Sequence, residues 1–408
     1  MKKFMFLIVV AIFLFVGCPP TYKNAAKIYL GQSQYQKAKD QIVLGIEQTP
    51  GDFEYYCLLG KVEILLGNWL DGSKAFQDAF RIDTLLTLKW MQGPEKENLS
   101  SYWQNFYNCA LKLSTEKKYD EALVELFLAK KIDPTNVSQF NLEGTIYAQM
   151  GNKEAAVNAY NKTLSIDPEN PEAYYFIGNA MFEKKAFDSS IVQYTNSIKF
   201  FEKNYNQIKG VLFQNVSFDK ALAFEIVDLW NGKKTEELNR VVKTKLGFDQ
   251  PDVQKRNIEK FAKVTEGLAH SYYYRGMANY NLKKDSLALN DWNTTLDLVP
   301  NDLDALYYLA ELLIVKFKKY DEAREHLEKI VAVKADDFTG WFYIGVCYAQ
   351  VKNYKKAIEI YEDKALKYSP DNIDVLTNIA FAYRELGDNK KAIEYLMKID
   401  QIQKKGNK

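Results

Sequence analysis

The sequence predicts an all-α fold, an α-solenoid of stacked helix pairs, and three observations predict it. Small residues recur at a fixed interval. Ala122, Ala156 and Ser190 lie 34 residues apart, as do Ala38 and Gly72, and Ala323 and Ala357; Ala288 to Ala323 and Ala357 to Ala392 are 35. Aromatic residues, 14% of the 408, recur in phase with them. Turn formers divide each period into two helix-length segments. Helix-pair repeats of this period stack so that each touches only its neighbours, which lets one chain grow long without one growing core.

Phe140 to Pro171 shows why each segment should be helical. The first carries Phe140, Leu142, Gly144 and Tyr147 and stops at Met150-Gly151-Asn152. Gly151 supplies the left-handed residue just past a helix end. The second carries Ala156, Tyr160 and Leu164 and stops at Asp167-Pro168, because proline lacks the N–H that a helix interior needs. Asn170 caps the next helix, with Pro171 in its first turn. Small Gly144 and Ala156 should sit where the two helices cross, at an axial distance of roughly 8 Å.

The same arrangement is found at Tyr56, Leu59, Gly60, Phe76 and Ala79, and at Phe106, Ala110, Tyr119, Ala122 and Pro134. Tyr174, Gly178 and Tyr194 follow, then Tyr272, Gly276, Ala288, Trp292 and Pro300. Trp341, Gly345, Tyr348, Tyr354, Ala357, Tyr361 and Pro370 make a further copy, and Leu376, Ala380, Tyr383 and Ala392 close the series. This pattern resembles the tetratricopeptide repeat (TPR) family. The resemblance implies about nine TPR helix pairs in a right-handed superhelix, with two insertions.

The chain begins with a different kind of segment. Lys2-Lys3 precede thirteen apolar residues, Phe4 to Val16, and then Gly17-Cys18-Pro19-Pro20. A charged start, a short apolar core and a small residue before the cut describe a signal peptide, and a spanning helix needs about 20 residues. Phe15-Val16-Gly17-Cys18 resembles the lipobox of bacterial lipoproteins, with Phe15 where that family usually has Leu. The resemblance implies that Cys18 becomes the first mature residue and is lipidated.

The organisation expected is a signal peptide over 1–17, Cys18 and a short tether over 18–21, two repeats over 22–84, and an insertion over 85–102. Repeats three to five follow over 103–202, an insertion or degenerate repeats over 203–268, repeats six to nine over 269–400, and a polar tail over 401–408. Leu85, Leu86, Leu88, Trp90 and Met91 mark the first insertion as a packed extension, and Gly93-Pro94 as its turn. Within the second, Phe218-Asp219-Lys220-Ala221 echoes Tyr119-Asp120-Glu121-Ala122.

Composition excludes several chemistries. With 54 basic and 53 acidic residues, there is no electrostatic case for nucleic acid. Cys57, Cys109 and Cys347 fall in separate repeats, where thiols serve as small apolar fillers. His270 and His326 are the two histidines, and neither has a partner at metal-ligand spacing. Gly67 to Lys74 superficially suggests a phosphate loop, but Gly72-Ser73-Lys74 inverts the order such a loop needs. Carboxylate pairs such as Glu236-Glu237 sit beside lysines, as on a solvated surface. No enzyme, cofactor or metal is expected.

In the TPR family first helices line the concave side and grip peptides. The repeat phase puts Tyr107, Asn141, Tyr175, Asn179, Phe182, Tyr273, Met277, Tyr280, Tyr307, Phe342, Phe381 and Arg384 on that face. Of these, Tyr107, Asn141, Tyr175, Asn179, Tyr273, Tyr280, Tyr307 and Phe342 are the candidate protein-binding residues. Tyrosine offers apolar area with a hydrogen-bonding tip, and asparagine can hold an extended backbone. The basic clamp of certain TPR co-chaperones is absent, since Tyr274 and His270 stand in its place. The function expected is a lipid-anchored, extracytoplasmic scaffold of the bacterial envelope that binds other proteins or peptides. An envelope chaperone, or a peptide or carbohydrate receptor using the same aromatic face, is the alternative.

Overall fold

The computed structural model describes residues 21–93 and 95–406. The leader, Cys18 and Pro94 lie outside the described residues, which are helical and contain no strand. They form two compact units, one ending at Ile166 and one starting at Asp167.

The first unit holds four helix pairs: α1 (Tyr22–Gly31) with α2 (Tyr35–Gln48), α3 (Phe53–Leu65) with α4 (Trp69–Ile82), α6 (Leu99–Thr115) with α7 (Tyr119–Ile132), and α8 (Val137–Gln149) with α9 (Lys153–Ile166). An extra helix, α5 (Thr84–Gln92), stands between the second and third pairs.

The second unit holds six. They are α10 (Pro171–Glu183) with α11 (Phe187–Leu212), α12 (Lys220–Asn231) with α13 (Thr235–Thr244), and α14 (Lys255–Asn281) with α15 (Asp285–Leu298). Next come α16 (Leu303–Leu312) with α17 (Tyr320–Val333), and α18 (Phe338–Gln350) with α19 (Tyr354–Ile360), which ends in the half-turn α20 (Leu366–Tyr368). Last are α21 (Ile373–Glu385) and α22 (Asn389–Gly406).

One turn joins every pair. Ser33, Gly67, Lys117, Gly151, Lys185, Lys233, Lys283, Lys318, Lys352 and Gly387 all have φ between 55° and 84°. In the first of these turns the Ser33 N–H donates to Leu30 and the Gln34 N–H to Tyr29, the double closure that ends a helix with a left-handed residue. The same closure follows Gly151, where Asn152 donates to Tyr147. Asp52, Asn136, Asn170, Asp219, Asp302, Asp337 and Asn372 cap the helices that start the following pairs, each accepting a backbone N–H.

Within a pair, a glycine receives an aromatic ring sixteen residues on. Gly60 faces Phe76, Gly144 faces Tyr160, Gly178 faces Tyr194, Gly276 faces Trp292 and Gly345 faces Tyr361. A Cβ at any of them would lie 2.3–2.7 Å from the ring. The Tyr160 ring packs on Gly144, and Ala156 is buried one turn before it on α9. Cys57, Cys109 and Cys347 are buried free thiols, and burial pushes each up to about 12.

The irregular stretches differ from expectation in detail. In the first insertion Trp90 and Met91 are buried, but Leu85 and Leu86 face solvent, because α5 is a single short helix with one packed side. In the second, α11 and α14 run to 26 and 27 residues and pack directly on each other, with Ser197 Oγ 2.9 Å from Ser271 Oγ. The α12–α13 pair leaves and rejoins between them, built around Ile226, Val241, Val242, Leu246, Ile258 and Phe261. Its turn at Lys233 is that of the other pairs. The Phe218-Asp219-Lys220-Ala221 echo falls in the wrong register: Asp219 caps a first helix, α12, whereas Tyr119 opens a second one. Residues 401–406 are not a loose tail but continue α22, supported by Lys404 paired with Asp400 one turn back.

Candidate functional site

First helices carry the candidate residues because the left-handed turns fix their rotation. In the first unit, Tyr107 on α6 stacks on Trp103 at 5.1 Å. Asn141 on α8 accepts the Thr163 hydroxyl at 2.8 Å, so its carbonyl oxygen is engaged across the pair.

The second unit brings more together. Tyr175 on α10 lies 5.9 Å from Tyr274 and stacks on His270 at 6.3 Å, both on α14. Tyr274 meets Phe182 at 6.2 Å and Tyr273 at 5.1 Å. Tyr273 lies 6.1 Å from Tyr308 on α16. Tyr308 stacks on Trp292 at 5.4 Å, and Trp292 meets Tyr280 at 5.7 Å. The result is a continuous chain of rings across three first helices, with Trp292 beneath. Apart from buried Trp292 these rings are half-buried, so each is held on one side and open on another.

Two candidates behave differently. Asn179 accepts the Tyr194 hydroxyl at 2.8 Å and contacts the Tyr175 hydroxyl, so it orders tyrosines. Tyr307 stands outside the ring chain and reaches Asp337 at the next first helix; the residue that bridges Tyr273 to Trp292 is Tyr308. Phe342 on α18 lies between Phe338 and Tyr361, 6.1 and 6.2 Å away. Tyr274 and His270, placed by sequence where a basic clamp would stand, and Tyr308 are not among the candidate binding residues. The i, i+4 spacing of His270 and Tyr274 is the signal that would have placed both on one helix face.

Carboxylates surround the rings. The Tyr280 hydroxyl donates to Glu311 at 3.1 Å. Burial, then Asp304, Glu183 and Asp302, pushes the Tyr274 phenol above its ordinary range. Burial pushes Tyr175 up to about 12, with Glu266 acting in the same direction. Arg275, on the far side of α14, is held by Asp291 at 2.6 Å. Such a surface offers aromatic area and acceptors; Lys283, over the Tyr280 ring at 5.7 Å, is a cation at its edge. Among the described residues no three His, Cys, Asp or Glu side chains converge as a metal site.

A protein built in this way, from stacked helix pairs with aromatic first-helix faces, is a helical-repeat protein. Residues 144–185 and 315–406 are recognised as tetratricopeptide repeats: three tetratricopeptide-repeat family models match residues 144–185, 315–373 and 348–406. A TPR repeat-containing protein of Methanocaldococcus jannaschii is 23% identical over 76% of this chain and 52% of its own length. BBSome complex member BBS4 of Bos taurus is 30% identical over 28% of this chain and 22% of its own. The chain thus spans about half or less of the length of these relatives. Among solved structures, YrrB, described as a TPR protein with an unusual peptide-binding site, aligns over 62% of this chain and 95% of its own. Its TM-score is 0.40 and its identity 17%.

Proposed function

We propose that this protein is a lipid-anchored interaction scaffold of the bacterial cell envelope, which holds segments of partner proteins against the concave face of its first helices. The chain of half-buried rings from Tyr175 to Tyr280 carries the reading. Rings fixed on one side present large contact area at little entropic cost on binding, which is what hot-spot residues do. The lipid on Cys18 would supply location and the repeats would supply partners.

Crosslinking in intact membranes followed by identification of captured proteins tests this. Changing Tyr175, Tyr273 and Tyr280 together to Leu keeps apolar packing but removes three rings of the chain and their hydroxyls. Capture should fall by about 30-fold, the equivalent of a hot-spot loss of about 2 kcal/mol, with helicity and membrane attachment unchanged. Full retention of every captured partner by the triple variant would move the site off this face.

A further inference from the structure

The ring chain ends at a pocket whose chemistry specifies what the groove takes. A cavity of about 280 Å³ opens beside His270, between α12, α14 and the link from α15 to α16. Asp228, Glu266 and Asp302 line it, together with Phe224 and Asn301, and neither Lys nor Arg does. None of the three carboxylates forms an ion pair among the described residues; Asp302 caps α16 through one oxygen. His270 stacks on Tyr175, so the pocket and the tyrosine rings form one continuous surface within the second unit. Pockets for whole small-molecule ligands run to about 300–1,000 Å³; this one suits a single long side chain.

We propose that this groove binds a basic segment of a partner protein, with one Lys or Arg side chain seated among Asp228, Glu266 and Asp302 and neighbouring residues laid over the tyrosines. The inference rests on the scaffold reading above and adds the chemistry of the partner. Three observations select that occupant. The apolar walls from Phe224, Val227 and Val299 suit a methylene stem, which long basic side chains bury while keeping the head near polar groups. Among the described residues no cation pairs with these carboxylates, and opposite charge on a partner both steers encounter and rejects wrong partners. The rings next to the pocket attract cations through their faces, so a second basic residue would also find a place. The α12–α13 pair, which interrupts the regular stack, contributes Asp228 and Phe224; specificity resides where the repeat pattern breaks.

The test uses the full-length protein in detergent. A fluorescent nonapeptide alternating lysine with leucine is titrated by anisotropy, beside the same peptide with glutamate for lysine, at 50 and 300 mM salt. The lysine peptide should bind at least tenfold more tightly, and the difference should shrink at the higher salt, where screening shortens the reach of charge. The variant Asp228→Asn, Glu266→Gln, Asp302→Asn keeps the α16 cap, since asparagine caps as well as aspartate. It should lose at least tenfold in lysine-peptide affinity with unchanged circular dichroism. Equal binding of both peptides, or no loss in the carboxylate variant, overturns the proposal. If crosslinked partners are lost in the tyrosine variant but retained in the carboxylate variant, the basic segment is wrong and the groove stands. If both variants keep their partners, the groove itself is wrong.

Discussion

The hydroxyl of Tyr361 is buried with no hydrogen-bond partner, and the reason lies one residue beyond the glycine on which its ring packs. The residue after Gly144 is Thr145, whose hydroxyl lies 3.2 Å from that of Tyr160. The residue after Gly178 is Asn179, which accepts from Tyr194. After Gly345 stands Val346, which has nothing to offer. Val346→Thr should therefore raise stability by about 1 kcal/mol, the typical net worth of a hydrogen bond, and Tyr361→Phe should be neutral or slightly stabilising. Tyr160→Phe should cost a similar amount, since it removes the hydrogen bond to Thr145, whose hydroxyl keeps only its bond to the Asn141 carbonyl. Urea melts of the three variants check this; a destabilised Tyr361→Phe would mean that the hydroxyl has a partner after all. The glycine and the ring were both legible in the sequence, because shape recurs with the period. The partner was not, because three different side chains fill one position and only contact distances reveal what they share.

Between elements, the contact of α4 with α7 depends on a carboxyl group. Glu125 on α7 is 3% exposed and accepts Ser73 Oγ at 2.5 Å and Gln77 Nε2 at 2.8 Å, both from α4. Burial pushes it up to about 7, against the hydrogen bonds that favour its charge; Glu121 adds to the rise. A carboxyl raised in the folded state contributes stability that is complete below its unfolded value, near 4.5, and is lost as pH climbs through about 7. Melting temperature should fall between about pH 4.5 and 7 and level off above, and Glu125→Gln, which keeps an acceptor for Ser73, should flatten that fall. An equally steep profile in the variant would place the titrating group elsewhere. The turns that join such elements were only partly legible. Gly67, Gly151 and Gly387 declare a left-handed residue, but six of the ten turns place lysine there, where a side chain with a Cβ is uncommon. The α12–α13 pair was legible only as one of two alternatives, insertion or degenerate repeat, for a related reason: Leu238 occupies the place where Ala156 and Ala288 mark other pairs, five residues past the left-handed turn.

At the scale of the whole molecule the reading joins a membrane address to a binding surface. No helix among the described residues is long and apolar enough to cross a membrane, so attachment on this reading rests on Cys18. Two or three acyl chains hold a protein stably where one does so marginally. Wild-type protein grown with labelled fatty acid should carry label and partition into detergent, and Cys18→Ser should lose both; an unlabelled wild type that partitions into water would remove the anchor from the scheme. The period of the chain was legible over most of its length, while the long stretch between Ser190 and Ala288 was not, since helices α11 and α14 outrun the repeat there.

The two 35-residue intervals carry a consequence for how such chains diverge. Each contains one stretch of wider helix, Leu313–Phe317 in one and Tyr361–Ala365 in the other. A residue inserted into a regular α-helix rotates everything after it by about 100°, since 3.6 residues make a turn. A π-turn absorbs the extra residue within itself and returns the helix to its original facing. Ala323 and Ala392 accordingly keep the small-residue positions that a 34-residue spacing gives their counterparts, with 0% and 6% exposure. A single-residue insertion can therefore be accommodated without repair elsewhere, and the two π-turns are where the chain holds the extra residue of each longer interval. Ancestral relations among the repeats are read correctly only when those residues are excised before the copies are aligned.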